Sequence, residues 1–244
     1  AGLLASGMAP AASWADAGGP KFLSAAAHQN GKYVLCGIAD DHRVLFEIPL
    51  PGRGHAAAAH PTRPEAVAFA RRPGTFAVVI DCVTGAQIAR LTSPPGRHFY
   101  GHGVFSQNGD WLFTTENDYE AGAGRVAVWD AANGYVRAGD FASGGIGPHE
   151  MRRLPGMDTL VIANGGIDTH PESGRTKLNI PTMAPNLAYA DNGRNGRDWY
   201  AVAWRYTTTR LGGHPPARGQ HPDTADSPNR RSARSAGLYW QHCL

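Results

Sequence analysis

Cysteine is nearly absent. Three residues, Cys36, Cys82 and Cys243, are spread over 244 positions. So few cysteines, odd in number, build no disulfide framework. Two readings stay open for the first pair: a Cys36–Cys82 bridge, or two thiols buried inside strands, since free cysteine packs as a small hydrophobe. Charge is also scarce, at 18% of residues. Long apolar stretches of helical period are missing, which argues against a helical bundle. No segment approaches the ~20 apolar residues of a membrane span.

The usual marks of chemistry are missing too. There is no Gly-x-Ser-x-Gly and no serine beside a base. No Cys-x-x-Cys pair or His-Glu-x-x-His exists to hold a metal. "SGGIG" lacks the strand–helix context and lysine of a phosphate loop. The net charge of +3 is a local effect. Residues 193–244 hold eight Arg, three Asp and neither Lys nor Glu, a net of +5, which leaves −2 for the rest. Without that segment no basic footprint for nucleic acid remains.

What the chain has is glycine and proline, 31 and 18 residues. That suits many short strands joined by tight turns. A repeat runs through it. His55 follows Gly54, His102 follows Gly101 and His149 follows Pro148, with 47 residues between successive histidines. "TFAVVIDCVTG" and "GRVAVWDAANG" end apolar runs at Asp81 and Asp130, 49 residues apart, each before a turn ending in Gly85 or Gly134. Four short strands in a unit of about 40–50 residues are the mark of a propeller blade. One unit predicts strands at His102–Phe105, Asp110–Thr115, Arg125–Asp130 and Tyr135–Phe141, with "ENDYEAGAG" as a long loop. "KYVLCGIA" and "RVLFEIPL" belong to an earlier blade; His149 opens a later one, with "DTLVIAN" and "NLAYAD" as its next strands.

The two ends differ from this pattern. Residues 1–15 are small and mostly apolar, and Ser13-Trp14-Ala15 fits a cleavage site before Asp16. They are expected to be the remnant of an export signal, against a plain Ala/Gly-rich terminus. The blades are expected over 16–191. Residues 193–244 contain no Ile, Phe, Met, Lys or Glu. The stretch from 192 on is expected to be aberrant, with few regular elements: a frameshifted reading or a disordered tail.

In a propeller, the loop entering the first strand of a blade and the loop joining its second and third strands open on one face. That geometry gathers His55, His102, His149 and Glu150 with Glu116, Asn117 and Asp118 from one polar loop. It adds Asn164, His170, Arg175 and Lys177 from another. Histidine with carboxylates suits a borderline divalent metal or iron, and His102, His149 and Glu116 are the metal candidates. The plainer alternative is structural: Gly101-His102 with Trp129-Asp130 has the look of a WD-repeat arrangement, in which the histidine bonds the aspartate.

"GHGVFSQNGDWLFTTENDYEAGAGRVAVWD", "GGIGPHEMRRLP" and "VIANGGIDTHPESGRTKLNIPTM" resemble the core motifs of an uncharacterised bacterial family, domain of unknown function 1513, over roughly His55–Asp191. The resemblance implies an all-β, WD40/YVTN-like seven-bladed β-propeller exported to the periplasm, here cut to about four blades. It also implies a setting near imelysin-type iron-uptake proteins. Two functions follow as expectations. The first is a periplasmic module binding a small ligand or a protein partner, linked to iron uptake. The second is a propeller enzyme, a metal-assisted hydrolase or oxidoreductase working on the His/Glu/Asp face. The missing nucleophile favours the first.

Overall fold

The computed structural model describes residues 11–173, 176–192 and 199–204. It is all-β apart from two short 3-10 turns, Pro171–Ser173 and Ile180–Thr182. Fifteen strands form four antiparallel sheets in chain order. The first holds β1 (Phe22–Ala27), β2 (Tyr33–Ile38) and β3 (Val44–Leu50). The second holds β4 (Gly54–Ala59), β5 (Glu65–Ala70), β6 (Phe76–Asp81) and β7 (Gln87–Thr92). The third holds β8 (Arg97–Phe105), β9 (Trp111–Asp118), β10 (Ala123–Asp130) and β11 (Val136–Ala142). The fourth holds β12 (Pro148–Arg153), β13 (Leu160–Asn164), β14 (Asn186–Asn192) and β15 (Trp199–Trp204). Among the described residues no helix is long and apolar enough to cross a membrane.

Each sheet is a meander whose strands lie in sequence order. The turns follow from their residues. Gly109 has φ +83, and Ser106 Oγ accepts from the Trp111 amide across that turn at 3.0 Å. Asp130 Oδ1 takes the Asn133 amide at 3.0 Å ahead of Gly134. Both turns sit where the sequence places them, and His102–Phe141 lies within one four-stranded sheet.

The sheets pack face to face, which the strand alternation dictates. On β10, Ala127 and Trp129 join the core against the second sheet, while Val126 and Val128 join the core against the fourth. On β5, Val67 and Phe69 face the third sheet, while Ala66 and Ala68 face the first. Middle strands are therefore buried on both sides and read as nearly continuous apolar runs. The first strands β1, β4, β8 and β12 are neighbours in that order. Four such sheets, inner strand to inner strand, are blades of a propeller, as the sequence predicts.

Some details differ. "ENDYEAGAG" is not a long loop: β9 runs to Asp118, β10 starts at Ala123, and Tyr119–Gly122 connect them. A hairpin ladder from Ala123↔Asp118 onward takes up the rest. β8 begins at Arg97, five residues before His102. β15 falls after Asp191 and pairs with β14; the rest of the 193–244 stretch lies outside the described residues, as do residues 1–10. Cys36 and Cys82 are free and buried, so no bridge joins them. Burial, with Asp81 nearby, pushes the Cys82 thiol up to about 12.

The Phe69, Phe99 and Trp129 rings pack in a tilted row through the second interface, the one between the second and third sheets, each neighbouring pair of centroids 6.4 Å apart. Phe69 is 1% exposed. Phe69→Ala should cost about 3–5 kcal/mol, read as a fall in the urea midpoint with little change in slope.

Candidate functional site

Three strand irregularities build the site. The β4–β5 ladder skips between Gly54 and Ala57, β8–β9 between Phe99 and Gly103, and β12–β13 between Pro148 and Glu150. Each skip contains one histidine of the 47-residue repeat. A bulge leaves a residue unpaired and re-aims its side chain. Here all three bulges turn towards the shared line of inner strands. The histidines thus sit within the first strands, where their ladders break.

The rings meet. His55 Nε2 and His102 Nε2 are 3.1 Å apart. Ring centroids lie 4.8 Å apart for His55–His102, 5.4 Å for His102–His149 and 6.3 Å for His55–His149. Glu150 also joins, with Oε1 3.3 Å from His102 Nδ1. Simple alternation predicts that His149 and Glu150 face opposite ways; the bulge cancels it, and both reach His102. Gly101 makes the approach possible. Its φ is +97, and a Cβ there would stand 2.6 Å from His55 Cδ2.

The electrostatics follow from crowding. Burial, then the neighbouring His102 and His149, and then Arg71 and Arg72, bring His55 down to about 4. His149, though the exposed ring, is lowered by desolvation first and then by His102 and Arg72, with Glu150 opposing. Burial alone would raise Glu150, but its hydrogen bond to His102 and the charges of His102 and Arg152 hold it below the usual carboxylate value. A carboxylate at His102 Nδ1 fixes the proton there, so the Nε2 lone pair faces His55. His55 then donates its own Nε2–H across the 3.1 Å contact. The WD-repeat alternative does not describe this histidine: Asp130 bonds Asn133 instead.

The other candidates stand elsewhere. Glu116 is wholly buried and grips Arg137, Nη1 to Oε1 at 2.7 Å and Nη2 to Oε2 at 2.9 Å. It is a strand residue pointing into the second interface, not a partner of His102 and His149. Asp118 lies 3.4 Å from Arg97 Nε. Asn117 points the other way, donating to Thr169 O at 3.0 Å. Asn164 clamps the third sheet to the fourth through Ser143 and Asn186. His170 packs on Tyr119, 4.9 Å between centroids. Lys177 is exposed, away from the cluster's contacts. Arg175 lies outside the described residues.

Residues 48–200 match the family described as "Protein of unknown function (DUF1513)". The chain belongs to this family. No curated protein matches it. Among solved structures, a Kuenenia stuttgartiensis hydrazine synthase is similar at 14% identity and TM-score 0.48, covering 70% of this chain and 43% of its own. A protein from Lactobacillus plantarum shows 11% identity and TM-score 0.48, covering 73% and 53%. A protein of unknown function from Bacteroides caccae shows 11% identity and TM-score 0.42, covering 74% and 72%. The chain thus spans about half of the first two.

In this DUF1513 chain the polar residues that sequence reasoning passed over are as telling as those it chose. His60, 2% exposed, accepts the Thr62 and Arg63 amides on Nδ1 and lies 3.2 Å from Gly109 O through Nε2. It is a structural histidine pinning the turn of the third sheet to the second. Arg97, Arg125 and Arg137 surround Asp140, and Arg97 and Arg137 also reach Glu116. A histidine scan finds neither feature, because one histidine lacks a preceding glycine and the arginines are spread over three strands.

The buried Glu116 makes a test. Removing Glu116 leaves the half-buried Arg137 with Asp140 alone, so Glu116→Ala should cost about 1–3 kcal/mol in urea unfolding and leave any binding at the histidines intact. Asp140 gives a pH test. Burial would raise its carboxyl, but Arg125, Arg97 and Arg137 outweigh burial and hold it at about 2. A depressed folded value adds stability above the ordinary 3.8, lost as pH falls through the folded value. Stability should therefore drop between about pH 4 and pH 2, and Asp140→Asn should flatten that slope.

Proposed function

We propose that this protein is a binding module for a divalent transition-metal ion, held where the three histidines of the repeat converge. One observation carries the reading: His55 Nε2 and His102 Nε2 lie 3.1 Å apart with the Glu150 carboxylate on the far nitrogen of His102. An ion bound at about 2.0–2.1 Å in tetrahedral geometry sets its ligand nitrogens about 3.4 Å apart, and octahedral geometry about 3.0 Å. The observed spacing falls between. A carboxylate orienting the outer N–H of a ligating histidine is the usual supporting arrangement. His55 is neutral down to about pH 4, so an ion at its Nε2 needs only the proton there to move to Nδ1, with no second proton to displace near neutrality.

Among the described residues no group of three or more His, Cys, Asp or Glu side chains is placed to hold a metal ion, so the reading requires a rearranged His149. His149 is the exposed ring, and a turn inward completes the set. Imidazole nitrogens with a nearby carboxylate favour zinc, iron, nickel or copper over calcium or magnesium. The apolar residues 1–15 and the family's iron-uptake setting favour an exported, periplasmic module, with iron as the physiological ion and an iron-uptake protein as partner.

The test is isothermal titration of the full, chelator-treated chain with zinc and, without oxygen, ferrous iron. One site should bind, His102→Ala should abolish it, and Glu150→Gln should weaken it by about 10–100-fold. No binding by the parent chain, or an unchanged affinity in His102→Ala, contradicts the reading.

A further inference from the structure

A second polar site lies beside the histidines and uses none of them. A cavity of about 210 Å³ is lined by Arg71, Arg72, Pro73, His98, Thr169, His170 and Pro171. Its walls come from three sheets. Arg71–Pro73 belong to the β5–β6 connection, His98 to β8, and Thr169–Pro171 to the β13–β14 connection. All open on one face of the propeller.

The wall chemistry has one sign. Two arginines line the cavity and no carboxylate does. The Arg72 guanidinium sits over the Tyr100 ring, 5.6 Å from its centroid, and among the described residues it makes no ion pair. Thr169 is 6% exposed and its hydroxyl oxygen is buried without a hydrogen bond. The Tyr100 hydroxyl, in a residue 2% exposed, lies against the Thr169 hydroxyl and the Arg72 guanidinium, close enough for weak hydrogen bonds, yet neither hydroxyl makes one of good geometry. A buried hydroxyl without a well-aligned partner is unfavourable, so a ligand oxygen placed in the cavity gains the Thr169 hydroxyl as a donor. His98 cannot serve that role: its Nδ1 lies 2.9 Å from Phe99 O and its Nε2 3.3 Å from Asn117 Nδ2. Its ring instead stacks with Tyr119 as a flat wall, 19° between planes. The opposing charges are off the lining: Asp168, which acts on Tyr100, and the exposed Glu120 and Glu172, which lie 3.8 and 4.0 Å from His170.

We propose that this cavity is a site for a small oxyanion, a carboxylate or a phosphate group, held by the Arg72 guanidinium and the Thr169 hydroxyl. The volume is below the range for drug-sized ligands and suits one anionic group with a short body. Arginine's planar fork matches both carboxylate and phosphate. Arg72 also acts on His55 and His149, so the anion lies on the flank of the histidine cluster and is not part of it.

The experiment is titration of the full chain, chelator-treated and at low salt, with inorganic phosphate and with succinate. Either anion should bind with a dissociation constant below about 10 mM. Arg72→Ala and Thr169→Val, each keeping the parent circular dichroism spectrum, should weaken binding by about tenfold or more. His102→Ala should bind the anion as the parent does, which separates this site from the metal reading. Preference for phosphate or for succinate assigns the group within the proposal. Binding by neither anion, or binding unchanged in both Arg72→Ala and Thr169→Val, overturns it. Should Arg72→Ala fail to fold, Thr169→Val decides alone.

Discussion

Face-to-face packing of the sheets is the constraint on which everything else rests. The middle strands have no polar face to give to water. Trp129 and Ala127 go to one neighbouring sheet, Val126 and Val128 to the other. Burial of roughly 25 cal/mol per Å² of apolar surface drives both contacts. Once both faces of β5, β6, β9 and β10 are taken, each sheet can only stand beside its neighbours with its first strand inward. The functional geometry is a consequence: first strands β4, β8 and β12 lie side by side because the sheets behind them are stacked.

A regular inner strand would waste that proximity, because its side chains would alternate towards the two interfaces. The bulges change this. In β4, β8 and β12 the ladder breaks at the histidine, so the ring leaves the interface and enters the space between strands. Proline at 148 suits such a break, having no amide hydrogen to leave unpaired. This is the physical sense of Gly-Pro-His-Glu. The proline opens the strand, the histidine takes the bulge, and the glutamate is left beside the neighbouring blade's histidine. The same packing makes Glu116 a structural group, since its face of β9 is turned into an interface where only arginines can neutralise it.

Much of this was legible in the sequence. The 47-residue spacing of His55, His102 and His149 marks equivalent places in successive sheets, and the Asn-Gly pairs at 108 and 133 mark the turns. What was hidden depended on strand length and pairing. "ENDYEAGAG" is polar enough to resemble a loop, yet the hairpin ladder reaches Asp118, so Glu116 and Asn117 are buried by tertiary context that composition does not carry. The bulges leave no mark that a single sequence separates from ordinary alternation, so the shared approach of His149 and Glu150 to His102 is not legible there. Arg71 and Arg72 sit in a plain turn sequence; only the approach of the β13–β14 connection makes them the wall of a cavity.

The central claim is that the three bulged histidines form one electrostatically coupled cluster. The direct measurement is the titration of each imidazole by nuclear magnetic resonance, in the parent chain and in His102→Ala. His55 should titrate at about 4 and His149 below the ordinary 6.5, and both should move upward when His102 is removed. Rings that titrate independently near the ordinary value, unmoved by His102→Ala, would contradict it.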